Sequence, residues 1–239
     1  QGGIEFIHHD ERTASNGFIN VDLPQGQRFP RPVKAERSVI GERNEIQAIV
    51  NAPECDFSYT VRVWPENDKI RLSVDLEKPI PAEWKGKATF DLQLFPVTYF
   101  GKTYMLGDDS GIFPVEALGQ MELLPDGRSR PVPLARGKKL LIAPESKSCR
   151  LQIEQLNGEL SLIDERNTTL SGWIIVRSEI PEGVDKGAVE WVITPTIIPG
   201  WLHKPVIGFS QAGYHPAQQK RAVIELDQRV SVPEKAHLS

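Results

Sequence analysis

The sequence predicts an all-β protein built as a large antiparallel β-sandwich, and three observations carry that prediction. Apolar and polar residues alternate with period two in seven separate runs, the pattern of strands with one face buried and one wet. Turn-forming residues sit between the runs. No stretch carries the three-to-four-residue apolar stripe of a long amphipathic helix. The runs are 46–50, 59–64, 70–76, 88–95, 150–154, 173–177 and 189–193. Pro65-Glu66-Asn67-Asp68 and Pro125-Asp126-Gly127 read as turns, and Asn157-Gly158, placed between alternating segments, as the turn of a hairpin. Nineteen Gly and nineteen Pro suit many short strands joined by turns.

Composition narrows what such a protein does. Hydrophobic residues make up 39% and charged residues 25%, enough apolar content for a packed core. The net charge is −4 and no stretch is densely basic, so the sequence argues against nucleic acid as a partner. No apolar run approaches the roughly 18 residues of a membrane helix, so no membrane span is predicted. Gln1-Gly2-Gly3 leads directly into Ile4-Glu5-Phe6-Ile7 without a signal-peptide pattern, as a processed N-terminus or a trimmed one would. Cys55 and Cys149 are compatible with one disulfide in a secreted protein or with two separate buried thiols, and neither has metal-ligand spacing with histidine.

Organisation changes towards the C-terminus. The segment 195–205 is punctuated by proline and reads as a linker, which divides the chain into a β-sandwich domain over 1–200 and a shorter region over 201–239. In that region Gly213-Tyr214-His215-Pro216 is a turn signal ahead of the β-favouring run Ala222-Val223-Ile224-Glu225-Leu226. An isolated strand is not stable, so this run is expected to dock on an edge of the larger sandwich or on a second copy of the chain, with Trp201 and Tyr214 packed at the junction.

The stretch 209–226 resembles the opening strand of the immunoglobulin-like domain that precedes the catalytic barrel in glycoside hydrolase family 9. The family pattern is approximately N-Q-V-G-Y-x-P followed by K-x-A-V-V. Gln211, Gly213, Tyr214, Pro216, Lys220, Ala222 and Val223 match it, whereas Ser210 stands for the usual Asn and Ala212 for the usual Val. The segments 95–105, 111–114, 172–178 and 204–208 are similar to the N-terminal extension of some bacterial proteins of that family, itself similar to the supersandwich modules of several carbohydrate-active enzymes. The resemblance implies a supersandwich-like domain followed by the first strand of an immunoglobulin-like module. It implies a secreted or periplasmic bacterial protein, a downstream catalytic module in the same polypeptide as partner, and a polysaccharide as ligand. Family 9 catalysis uses an Asp pair and a Glu within an (α/α)6 barrel, and inverting enzymes hold two carboxyls roughly 6.5–9.5 Å apart. This sequence shows no such helical barrel, so the resemblance carries over no catalytic residue and no cofactor. It implies a non-catalytic accessory domain acting beside a hydrolase of β-linked glucans. The alternatives are an independent carbohydrate-binding module and a stand-alone β-sandwich enzyme of lyase or mutarotase type. The last needs His, Tyr, Arg or carboxylate groups converging on one concave sheet, a spacing the sequence does not display.

Loop aromatics are the candidate glycan contacts, because a pyranose C–H face stacks on a flat apolar ring. Trp84 lies in a proline-flanked loop, Tyr99 and Tyr104 cluster with Phe100 around Gly101, and Trp201 lies in the linker. Trp173 and Trp191, inside strand runs, are expected in the core. The Asp108-Asp109-Ser110-Gly111 loop has oxygen ligands suited to Ca²⁺ but reads more simply as a solvated turn. Asp164-Glu165-Arg166-Asn167 reads as a charged strand end, His8-His9-Asp10-Glu11 as a frayed terminal stretch, and His203 and His215 as loop residues without a partner.

Overall fold

The computed structural model describes residues 3–23, 34–117, 119–168 and 172–232; Gln1 and Gly2 of the N-terminal reading lie outside them. In chain order the strands are β1 (Phe6–His8), β2 (Glu11–Val21), β3 (Lys34–Ile40), β4 (Glu45–Ala52), β5 (Phe57–Glu66), β6 (Lys69–Leu76), β7 (Ala88–Leu94), β8 (Thr103–Leu106), β9 (Asp109–Ile112) and β10 (Met121–Leu123). They continue as β11 (Ser129–Pro131), β12 (Ala135–Gly137), β13 (Lys139–Ile142), β14 (Leu151–Gln155), β15 (Leu160–Asp164), β16 (Ile174–Glu179), β17 (Val189–Pro195), β18 (Val206–Phe209) and β19 (Ala222–Glu225). Among the described residues, one short helical turn, Pro96–Tyr99, interrupts them along with three 3-10 turns. No helix among the described residues is long and apolar enough to cross a membrane. The chain divides into two compact units, Gln1–Ile197 and Ile198–Ser239.

The first unit is a sandwich of a six-stranded sheet, ordered β1-β2-β7-β16-β15-β12, and a nine-stranded sheet, ordered β3-β4-β5-β6-β17-β14-β13-β8-β9. Every pairing is antiparallel. The alternation seen in the sequence is the alternation of the core. Phe90, Leu92 and Leu94 of β7 and Ile174 and Val176 of β16 point inward, against Leu72, Val74 and Leu76 of β6 and Trp191 and Ile193 of β17. Phe90 meets the edge of Trp191 across the interior with ring centroids 5.3 Å apart. The Trp191 indole donates to Ser178 Oγ at 2.8 Å, and Ser178 Oγ donates onward to Gln155 Oε1. Tyr59, buried so that its phenol is pushed up to about 12, accepts a hydrogen bond from the Ile19 backbone. Between β12 and β13 the chain switches sheets, and the crossing requires glycine. A Cβ on Gly137 would lie 2.7 Å from the Gly107 nitrogen, where β8 turns into β9.

All seven predicted runs are strands, namely β4, β5, β6, β7, β14, β16 and β17. β2 escapes the alternation pattern because its pairing to β7 shifts register between Ser15 and Phe18, and Asn16 takes a left-handed conformation with φ 57°. The Asn157-Gly158 expectation is corrected. These residues do not close a hairpin but carry the chain from β14 in one sheet to β15 in the other. Asn157 accepts from Gln155 Nε2 and donates to the Gly187 carbonyl, so side-chain bonds bend this connection in place of a ladder. His8 to Glu11 is not frayed. His9 and Asp10 turn β1 into β2, His8 Nε2 bonds to the Thr196 carbonyl oxygen, and His9 Nδ1 bonds to that of Ser148.

The second unit contains β18 paired to β19, Val206 opposite Glu225 through Phe209 opposite Ala222. The run at 222–226 therefore finds its partner within its own unit, correcting the expectation of a sandwich edge or a second copy. The Tyr214 hydroxyl closes the loop between the two strands, donating to the Arg221 carbonyl and accepting from the Ser210 amide. Asp227 accepts from the His203 and Arg229 amides and from the Arg229 guanidinium, contacts that hold its carboxyl well below the usual range.

Trp191→Ala is expected to lower unfolding stability by about 3–5 kcal/mol, because it leaves a cavity between the sheets and strips Ser178 of its donor. A urea melt followed by circular dichroism measures this, and a loss below about 1 kcal/mol contradicts the central role given to this ring.

Candidate functional site

The outer face of the six-stranded sheet follows from the register. Where Phe90 and Val176 point in, Asp91 and Arg177 point out. Phe18, Asp91, Arg177, Ser161 and Arg136 stand side by side across β2, β7, β16, β15 and β12, and Asn20, Thr89 and Glu179 form the next row. The β10–β11 hairpin rises beside this face. Together they enclose a groove of about 820 Å³. Lys87, Arg136, Glu159 and Glu179 line it with exposed side chains. Arg128, near the hairpin tip, donates to Asp126, to Asp22 at the end of β2, and to the Leu23 carbonyl at 2.9 Å.

At the floor, Arg177 donates two bonds to Asp91, at 2.7 and 2.6 Å, and a third to Glu165 at 2.7 Å. The Asp91 side chain is 1% exposed, so its charge depends on this fork. Burial pushes the Glu165 carboxyl above its ordinary value; Arg177 opposes the shift and Asp91 adds to it. Burial by itself would lower the Arg177 guanidinium, but Asp91 and Glu165 outweigh it and hold the group charged. A second fork fixes the loop beyond β15. Arg166 pairs with Asp164, donates to the carbonyls of Pro114, Val115 and Glu116, and lies over the Phe100 ring.

The groove offers dense donors and acceptors with fixed geometry, and Glu165, the least exposed carboxylate lining it, is held by Arg177. Among the described residues no cluster of three potential metal ligands occurs.

The predicted aromatic contacts lie elsewhere. Trp84, Tyr99 and Tyr104 are buried in the core of the first unit, where no ring face is open to a sugar. Trp84 packs edge-on to Phe57, and Tyr99 and Tyr104 both pack on Phe113. Trp84 and Tyr99 are packing residues because the 3-10 turn at 82–84 and the short helical turn at 96–99 fold their loops back over the core, and Tyr104 is one because it lies on the inward face of β8. Trp201 is half-buried in the second unit, and its carbonyl accepts from Arg229. Asp109 opens β9. Cys55 and Cys149 are free thiols. The sequence does not display the convergence of Asp91, Glu165 and Arg177, because Asp91 and Arg177 lie on strands paired only by the β7–β16 register and Glu165 lies in the loop just beyond β15. The out-facing Asp in Phe90-Asp91-Leu92 and Arg in Val176-Arg177-Ser178 were its signal. Comparison with protein-family models, with curated protein sequences and with solved structures found no match.

Arg177→Met is expected to cost about 3–5 kcal/mol, because it strands two carboxylates at once. A cost under 1 kcal/mol by urea melt contradicts the clamp. Folding disfavours the ionised Glu165, so its penalty is absent below the unfolded pKa near 4.5 and grows as pH rises through the higher folded value. Relative to Glu165→Gln, the wild type therefore gains stability as pH falls from neutral towards 4.5. Parallel stability–pH curves for the two proteins contradict that assignment.

Proposed function

We propose that this chain is a non-catalytic β-sandwich accessory region of a secreted or periplasmic glycoside hydrolase resembling family 9, which contacts β-linked glucan through the groove and braces a downstream catalytic module. The observation that carries the glycan part is the groove itself. Its charged side chains of both signs are spaced along sheet rows at strand separation, a geometry that can bond successive hydroxyls of a sugar chain without demanding a charged ligand. The likeness of residues 209–226 to the family's immunoglobulin-like opening supports the family part.

The arginine-held carboxylates favour binding over proton transfer, since a general acid or base must exchange its proton with the substrate. The raised Glu165 carboxyl favours the second reading, a stand-alone sandwich enzyme, and one assay separates the two. Purified chain incubated with mixed-linkage glucan or xyloglucan is expected to be retarded by the polysaccharide in affinity electrophoresis and to release no reducing ends. Arg136→Ala and Glu179→Ala, both exposed, are each expected to weaken retardation about three- to tenfold while leaving the melting temperature unchanged. Release of reducing ends that disappears in Glu165→Gln establishes the enzyme reading instead. Binding by neither assay overturns the glycan reading.

A further inference from the structure

Among the described residues, the outer face of the nine-stranded sheet carries one outward aromatic ring, Trp64, and its surroundings differ from those of the buried rings. Val61 and Val63 of β5 turn inward to the core, so Arg62 and Trp64 stand on the opposite face. Trp64 is half-buried. The Arg43 guanidinium, from the turn between β3 and β4, lies 4.9 Å from the ring centroid, and that of Arg62 lies 5.7 Å away. Arg71 is the cross-strand partner of Trp64. Its contacts with Glu66 and Glu190, at 3.9 and 3.8 Å, are beyond hydrogen-bond length and leave its donors available. The row continues from Arg71 through Val192 and Glu154 to Lys139.

We propose that Trp64 is the platform of a second glycan-binding surface, which stacks one neutral pyranose of a β-linked chain while Arg71, Glu66 and Glu190 bond its hydroxyls. The proposal rests on the reading that this chain contacts glycan, but it assigns a different face of the sandwich. Three features select the ligand. A flat ring flanked by outward donors and acceptors matches a pyranose, which has an apolar C–H face and a polar rim. The charges around the ring nearly balance, with Arg43, Arg62 and Arg71 set against Glu45, Asp75, Glu66 and Glu190, so a net-charged polymer gains no electrostatic advantage. A protein partner would meet charged side chains where the centre of a protein interface is depleted of charge. Arg43 is 55% exposed and pairs with Glu45 at 3.6 Å, so it occupies the ring face at little cost and can swing aside. It stands where the sugar would stack.

Affinity electrophoresis in mixed-linkage β-glucan, with polygalacturonate as the anionic comparison, tests this on the full chain. Trp64→Ala is expected to weaken glucan binding about tenfold with an unchanged circular dichroism spectrum. Trp64→Phe is expected to recover part of the loss. Arg43→Ala is expected to tighten binding, which a purely structural role for the stack would not produce. Wild-type glucan affinity in Trp64→Ala overturns the platform and leaves the groove reading standing if Arg136→Ala still weakens binding. Tighter binding of polygalacturonate than of glucan overturns the neutral-sugar assignment, and absence of glucan binding in the wild type overturns both readings.

Discussion

The contact between Trp191 and Phe90 is the constraint on which the first unit depends. The ring fills the space between the two sheets, and its N–H fixes Ser178 on the facing sheet. A strand repeats every two residues, so a slip of one position would turn β17 or β16 over, placing Glu190 or Arg177 in the core and the apolar set in water. Burying either charge without a partner costs far more than one misplaced methyl group. The same contact therefore decides both what is inside and which side chains form the outer faces.

On the six-stranded sheet the outer face is unusually committed. Asp91 is nearly inaccessible although it points away from the core, and the Arg177 guanidinium that lies on it is held in turn by Glu165 from the segment after β15. A carboxylate in that position is tolerable only when its lone pairs are filled, and the Arg177 fork fills them. Arg166 performs the parallel task at Asp164, tying the 114–116 backbone to the end of β15. The Arg177 fork shapes the groove floor and the Arg166 fork fixes the loop beyond β15, so the exposed charges of the groove are the groups available to a ligand.

The second unit is stabilised differently. Ile207, Phe209, Ala222 and Ile224 share one face of the β18–β19 ribbon and are exposed, so burial contributes little there. What fixes this ribbon is polar: the Tyr214 hydroxyl across the loop, and Asp227 gathering the His203 amide and the Arg229 side chain. Gly213, with φ 79°, permits the turn that brings Tyr214 back to Arg221. The resemblance drew attention to Gly213 and Tyr214 as motif positions, and their role here is to close a loop between two strands.

Burial pattern was legible in the sequence where period two ran unbroken, and lost where the backbone departed from it. The bulge at Asn16-Gly17 hid β2, and β8, β9, β12 and β13 were too short to show a period. Asn157-Gly158 carried a correct turn signal, but local chemistry does not report which sheet the next strand joins. The site was less legible for a related reason. A loop position alone suggests an exposed aromatic ring, yet the apolar area of Trp84 and Tyr99 is large enough that folding the loop inward outweighs leaving the ring in water. Trp64 shows the strand rule, since its parity is opposite to that of the inward Val61 and Val63 and places it outward. Ring exposure in a β-sandwich is thus decided by strand parity where a residue lies in a ladder, and by the size of the buried ring where it lies in a loop.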